Sequence, residues 1–109
     1  MKPAKRLRVY VGEADRHQGH PIHRALLDAA RKAGLTGATI FRGIEGYGPR
    51  HGLQTARVVD LSADLPVVVE IVDDPERIAA FLPIVRQLVE GGLITLEDVV
   101  AESGEGCKG

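Results

Sequence analysis

The 109-residue chain has no tryptophan, two phenylalanines, two tyrosines and one cysteine, and each shortage excludes something. Four aromatic rings make no platform on which successive nucleic-acid bases could stack. Fourteen basic and fifteen acidic residues leave a net charge of −1, without the basic excess of a dedicated nucleic-acid binder. No nucleic-acid partner is expected. The lone thiol, Cys107, cannot close an intrachain disulfide, which fits a reducing cytoplasm. No run approaches the ~20 apolar residues of a membrane span, so no membrane insertion is expected. The charged start, Met1 to Arg6, lacks the apolar segment of a secretion signal.

What is present is an apolar share of 44%, enough for one globular domain. A chain of this length buries roughly two-thirds of its unfolded surface. Residues 6–11 alternate, with Leu7, Val9 and Val11 on one side and Arg6, Arg8 and Tyr10 on the other, which predicts a half-buried strand. Residues 12–20 read as a polar loop, and Pro21 suits the first turn of a helix. An apolar stripe of Ile22, Leu26, Ala29 and Ala33 then runs to a terminating Gly34. A second strand is expected over 38–47, a long connection over 49–64, and extended chain over 56–61. Residues 65–72 (LPVVVEIV) predict a third strand, apolar on both faces and so expecting cover on both. Asp74 is expected to cap a second helix whose stripe runs through Ile78, Phe81, Val85 and Val89. Pro83 lies inside that helix and should bend it. Residues 93–100 complete the set, and 102–109 read as a frayed tail behind a single domain of 1–101. The order β-α-β, β-α-β closes into a four-stranded antiparallel sheet with both helices on one face, an α+β ferredoxin-like fold. The other sheet face would be bare, and a second subunit is expected to cover it.

The stretch 38–61 carries most of the functional signal. Gly43, Gly46, Gly48 and Gly52 loosen a strand where another backbone or a ligand approaches closely. Exposed backbone N–H groups there can form an anion nest, with Arg42, Arg50, His51 and Arg57 adding positive charge. A bulged strand with a flexible loop is the plainer reading. His17, His20 and His23, spaced by threes, are a weak metal candidate with Glu13 and Asp15 as further ligands; exposed loop histidines are the plainer alternative. Catalysis finds little support. Ser62 and Ser103 lack a nucleophile elbow, and Cys107 has only Lys108 to tune it. Glu70, within an apolar strand, is expected to pair with an arginine across a subunit contact.

Three segments together resemble the PII-like signalling superfamily, in particular the family called domain of unknown function 190. They are RLRVYVGEAD (6–15), ATIFRGIEGYG (38–48) and LSADLPVVVEIVD (61–73). The resemblance implies a homotrimer with inward-facing sheets and ligand clefts between subunits beside the long loop. PII proteins hold ATP or ADP there, so an adenine nucleotide is the ligand candidate, with no obligatory cofactor. By that resemblance Gly46 and Gly48 are ligand contacts, Arg50 replaces the usual glutamine and favours an anion, and Gly92 matches the glycine of the phosphate segment. Leu93 stands where PII proteins have lysine, and only Lys108 answers their later basic residues, which argues against tight triphosphate binding.

The reading that follows is a non-enzymatic, trimeric sensor of a small anionic ligand. It would signal through loop 49–62 to a partner, with a membrane transporter or another target protein in view. The alternative is a metal-binding or ion-homeostasis accessory protein on the same scaffold, since members of this family are associated with fluoride-exporting channels.

Overall fold

A computed structural model describes residues 1–49, 51–55 and 64–104. Its strands are β1 (Lys2–Gly12), β2 (Arg16–His17), β3 (His20–Pro21), β4 (Thr39–Arg42), β5 (Glu45–Gly48), β6 (His51–Thr55), β7 (Pro66–Asp73) and β8 (Leu93–Ala101), and its helices are α1 (Ile22–Lys32) and α2 (Pro75–Leu88). The main sheet has the order β4-β7-β1-β8, antiparallel throughout. This is the expected ferredoxin-like arrangement.

The core lies between one sheet face and the helices. Leu7, Val9 and Val11 of β1 sit opposite Ile71, Val69 and Val67 of β7, and all six are buried. Against them pack Ile22, Leu26 and Ala30 of α1 and Ile78, Phe81 and Val85 of α2. These positions recur at helical spacing, so each helix presents one apolar stripe to the sheet. Gly34 takes φ +78° just beyond α1, and Leu35 there donates to the Ala30 carbonyl at 3.1 Å. A left-handed residue at that point lets the chain turn back over the helix end.

Several local expectations are corrected. β1 begins at Lys2, earlier than its alternation suggests, because its first residues pair with β8 (Lys2 with Ala101, Lys5 with Asp98). The polar loop 12–20 contains a small hairpin, β2–β3, turned through Gln18 and Gly19 at φ 50° and 84°. Two successive positive φ angles suit a tight antiparallel turn. Pro21 stands at the N-cap of α1, ahead of its first turn. The strand expected over 38–47 is two strands: β4 joins the main sheet, while β5 pairs with β6 in a separate ribbon. Residues 51–55 of the expected connection are thus strand, and the extended chain expected over 56–61 lies outside the described residues.

Asp74 occupies the N-cap of α2 but makes no capping hydrogen bond; its carboxylate pairs with Lys2 at 2.9 Å. The preceding Asp73 does the tying. Its carboxylate accepts the Thr36 N–H at 2.9 Å and the Asp74 N–H at 2.7 Å, with Arg77 at 3.7 Å. Arg77 also donates to the Gly34 carbonyl. One buried carboxylate therefore joins the end of β7, the start of α2 and the loop after α1. Burial pushes its pKa up, but the two backbone donors and the guanidinium outweigh that and hold it below the usual value.

The other sheet face carries rows set by the registers. One row is Phe41, Val68, Tyr10 and Leu93; the next is Thr39, Glu70, Arg8 and Thr95. Phe41 and Leu93 remain 51% and 59% exposed. Glu70 pairs with Arg8 of its own chain at 3.7 Å, not with an arginine across a subunit contact. The two lie directly opposite each other on β7 and β1, so the sheet register itself supplies the counter-charge.

Candidate functional site

A cleft of about 360 Å³ opens where four segments meet. They are the end of β1 (Tyr10 to Gly12), the end of β5 with Pro49, the start of β7 (Pro66 to Val68) and the turn Gly91–Gly92 leading into Leu93. Each wall has a local cause. Gly43 donates its N–H to the Pro66 carbonyl at 2.7 Å, and a β-carbon at Gly43 would stand 2.8 Å from Pro66 Cγ. A β-carbon at Gly46 would meet the same atom at 3.1 Å. Only glycine lets the chain leave β4, cross Pro66 closely and begin β5.

The floor is built similarly. A β-carbon at Gly92 would lie 2.8 Å from the Tyr10 carbonyl oxygen and 2.8 Å from Val89 Cγ1. Glycine is required there by packing against β1, whatever else the position does. Gly91 before it has φ +82°, the left-handed region that favours glycine. On the opposite wall, a loop after β1 is fixed by hydrogen bonds to the start of β7. Glu13 N–H donates to the Leu65 carbonyl at 2.8 Å and Ala14 N–H to Asp64 Oδ1 at 2.7 Å. Asp15 Oδ2 accepts the Gly12 N–H at 2.8 Å.

The cleft joins two residues expected from sequence to bind ligand, Gly48 and Gly92, across forty-three intervening positions. Gly46 does not line it and instead supports Pro66 from behind. Arg42 is also outside the lining, paired with Glu13 at 2.9 Å. His51 lies in β6, opposite Gly48, while Arg50 and Arg57 lie outside the described residues, as do Ser62, Cys107 and Lys108. Among the described lining residues Asp15 is the one charged side chain. The basic charge expected at this site is therefore not in its described walls. The lining is mainly apolar, and its conspicuous side chains are Tyr10 and Tyr47, neither of which sequence reasoning singled out as a ligand contact. The available signal was an aromatic residue set among glycines, Gly46-Tyr47-Gly48, where no core position required one.

The histidines behave differently. His17 and His20 face each other across the β2–β3 hairpin, and His23 lies in the first turn of α1. Among the described residues no group of three or more His, Cys, Asp or Glu side chains could hold a metal ion. His17 instead borders a broad, open hollow of about 730 Å³ between the outer sides of the helices, floored by Ala25, Ala29, Ile84 and Leu88. Among the described residues no helix is long and apolar enough to cross a membrane.

Comparison with known proteins bears on this geometry. The UPF0166 protein of Aquifex aeolicus (strain VF5) is 43% identical over 95 residues, covering 87% of this chain and 90% of that protein. The UPF0166 protein of Methanocaldococcus jannaschii is 35% identical over 106 residues, covering 96% and 97%. Among solved structures, a PII-like signalling protein of Thermus thermophilus superposes with a TM-score of 0.67 at 16% identity, covering 95% of this chain and 94% of that one. CPII of Thiomonas intermedia K12, a nitrogen regulatory PII-like protein bound to ADP, AMP and bicarbonate, superposes with a TM-score of 0.63 at 19% identity, covering 91% and 88%. At those identities the likeness establishes a PII-like fold. The family profile of uncharacterized ACR proteins matches residues 4–101, and the chain belongs to that family, domain of unknown function 190.

Proposed function

We propose that this protein is a non-enzymatic PII-like regulator. It forms a homotrimer, binds a small anionic ligand in clefts between subunits, and passes the bound state to a target protein through loop 49–62. An adenine nucleotide is the leading ligand. The observation that carries the reading is the meeting of Gly48 and Gly92 in one cleft beside the point where that loop leaves the fold. The ADP- and AMP-bound CPII structures share the fold, which supports the choice of nucleotide. The apolar row Phe41, Val68, Tyr10 and Leu93 supports the trimer, because a sheet face with exposed aromatic and aliphatic side chains calls for cover. Tyr10, Val68 and Leu93 belong both to that row and to the cleft, so a subunit seated on the sheet would complete the ligand site. Binding would order the loop, which is how a small ligand changes a partner's contact surface.

Native mass spectrometry, with and without an adenine-nucleotide panel and magnesium, tests this directly. The expected result is a trimer that takes up as many as three nucleotides. A monomer, or a trimer that takes up none of the panel, would overturn the assembly or the ligand assignment respectively.

A further inference from the structure

We infer that Tyr47 is the specificity residue of the cleft, a ring that stacks on the planar base of the ligand, and that this chain's share of the site holds the base and not the phosphates. The inference rests on the nucleotide reading above and concerns which end of the ligand these walls grip.

Three observations lead there. Tyr47 is 83% exposed yet lines the cleft, so its ring contributes almost nothing to the core and stands available at the mouth. It is anchored from both sides. β5 pairs with β6, and Gly46 just before it rests on Pro66, itself a wall of the same cleft. A ring held on a paired strand loses less freedom on binding than one on a loose loop. The opposing surfaces are apolar, Val68 and Leu93 with Pro66, which suits the face of a heteroaromatic ring.

Charge argues the same way. Asp15 is the one charged side chain among the described lining residues, and a carboxylate there opposes a phosphate. The glycine backbone of 91–92 and 48 lets a flat group approach closely, since no β-carbon intervenes. A flat, uncharged ring fits these walls, with the phosphates directed outward.

Calorimetric titration of the full chain with ADP and with adenosine, on wild type, Tyr47→Ala and Tyr47→Phe, tests the assignment. Loss of one base–aromatic stack corresponds to roughly 5- to 150-fold in affinity. Tyr47→Ala should weaken both ligands by a similar factor in that range, and Tyr47→Phe should keep most of the affinity because the ring is retained. The exposed position makes unfolding of either variant unexpected, and a thermal melt checks it. If wild type binds ADP and Tyr47→Ala binds it equally well, the stacking role is overturned and the nucleotide reading stands. The stacking role alone also falls if only ADP binding suffers, if wild type binds ADP but not adenosine, or if Tyr47→Phe loses as much as Tyr47→Ala. Wild type that binds neither ligand would overturn both the nucleotide reading and this one.

Discussion

Asp73 is 8% exposed and serves as acceptor for two backbone donors that have no other acceptor among the described contacts, the N–H groups of Thr36 and Asp74. Replacing it with alanine strands both, so Asp73→Ala should cost about 1–3 kcal/mol, read as a lower urea midpoint at neutral pH. The pH dependence has a definite sign. The folded-state pKa is lowered, so the stabilisation is fully present above the unfolded-state value of about 3.9 and is lost as pH falls through the lower folded value. The gap between wild type and Asp73→Ala should therefore be constant near neutrality and shrink in acid, with the wild type losing the stability. A gap that stays constant down to the acid limit would show that the carboxylate's charge contributes nothing. At this scale the sequence was partly misleading. An Asp-Asp-Pro run at a helix start suggests that the residue before proline is the cap, and it occupies that place. Yet the neighbouring Asp73, ending β7, makes the bonds, because strand alternation turns its side chain to the covered face and toward Thr36.

Among the elements, α2 carries an internal proline whose ring sits on the exposed side. Proline has no N–H, so the Ala79 carbonyl receives no intrahelical bond from position 83. Pro83→Ala restores that donor at an exposed site, and it should raise the urea midpoint by the equivalent of about 1–3 kcal/mol. An unchanged or lowered midpoint would mean that the bend set by proline is needed to seat Val85 and Phe81 on the sheet. The long elements were legible from sequence because their patterns are unambiguous: the β1 alternation, the two helical stripes and the β-branched β7. The β4–β5 division was not. Residues 38–47 alternate as one strand would, and what divides them is the approach of Pro66, twenty-three residues beyond Gly43, which local pattern cannot reveal. The β2–β3 hairpin escaped for the opposite reason, being too short and polar to show any periodicity. The site was legible in part. Gly48 and Gly92 were marked by resemblance, whereas the apolar character of the walls emerges only when Tyr10, Tyr47, Pro66 and Leu93 are brought together. The pairing of Arg42 was hidden because its partner, Glu13, lies twenty-nine positions away.

For the whole molecule, the bare sheet face decides the assembly. Phe41, opposite Val68, lies at the β4 end of the apolar row, and a carboxylate introduced there would have to be desolvated in any subunit contact. Phe41→Asp should convert the proposed trimer to monomer in native mass spectrometry while leaving the far-ultraviolet circular dichroism spectrum unchanged, since the ring is not part of the core between sheet and helices. A variant that stays trimeric would move the subunit contact to another face. The Gly43 N–H bonded to the Pro66 carbonyl means that the chain departs from the sheet and returns to it at neighbouring points on adjoining strands. Everything between is an excursion whose two ends are a single hydrogen bond apart, so its length and composition are not dictated by the sheet. The molecule thus divides into a chassis that must be kept and an interchangeable cassette. Proteins built on one such chassis are free to address different targets by exchanging the cassette alone.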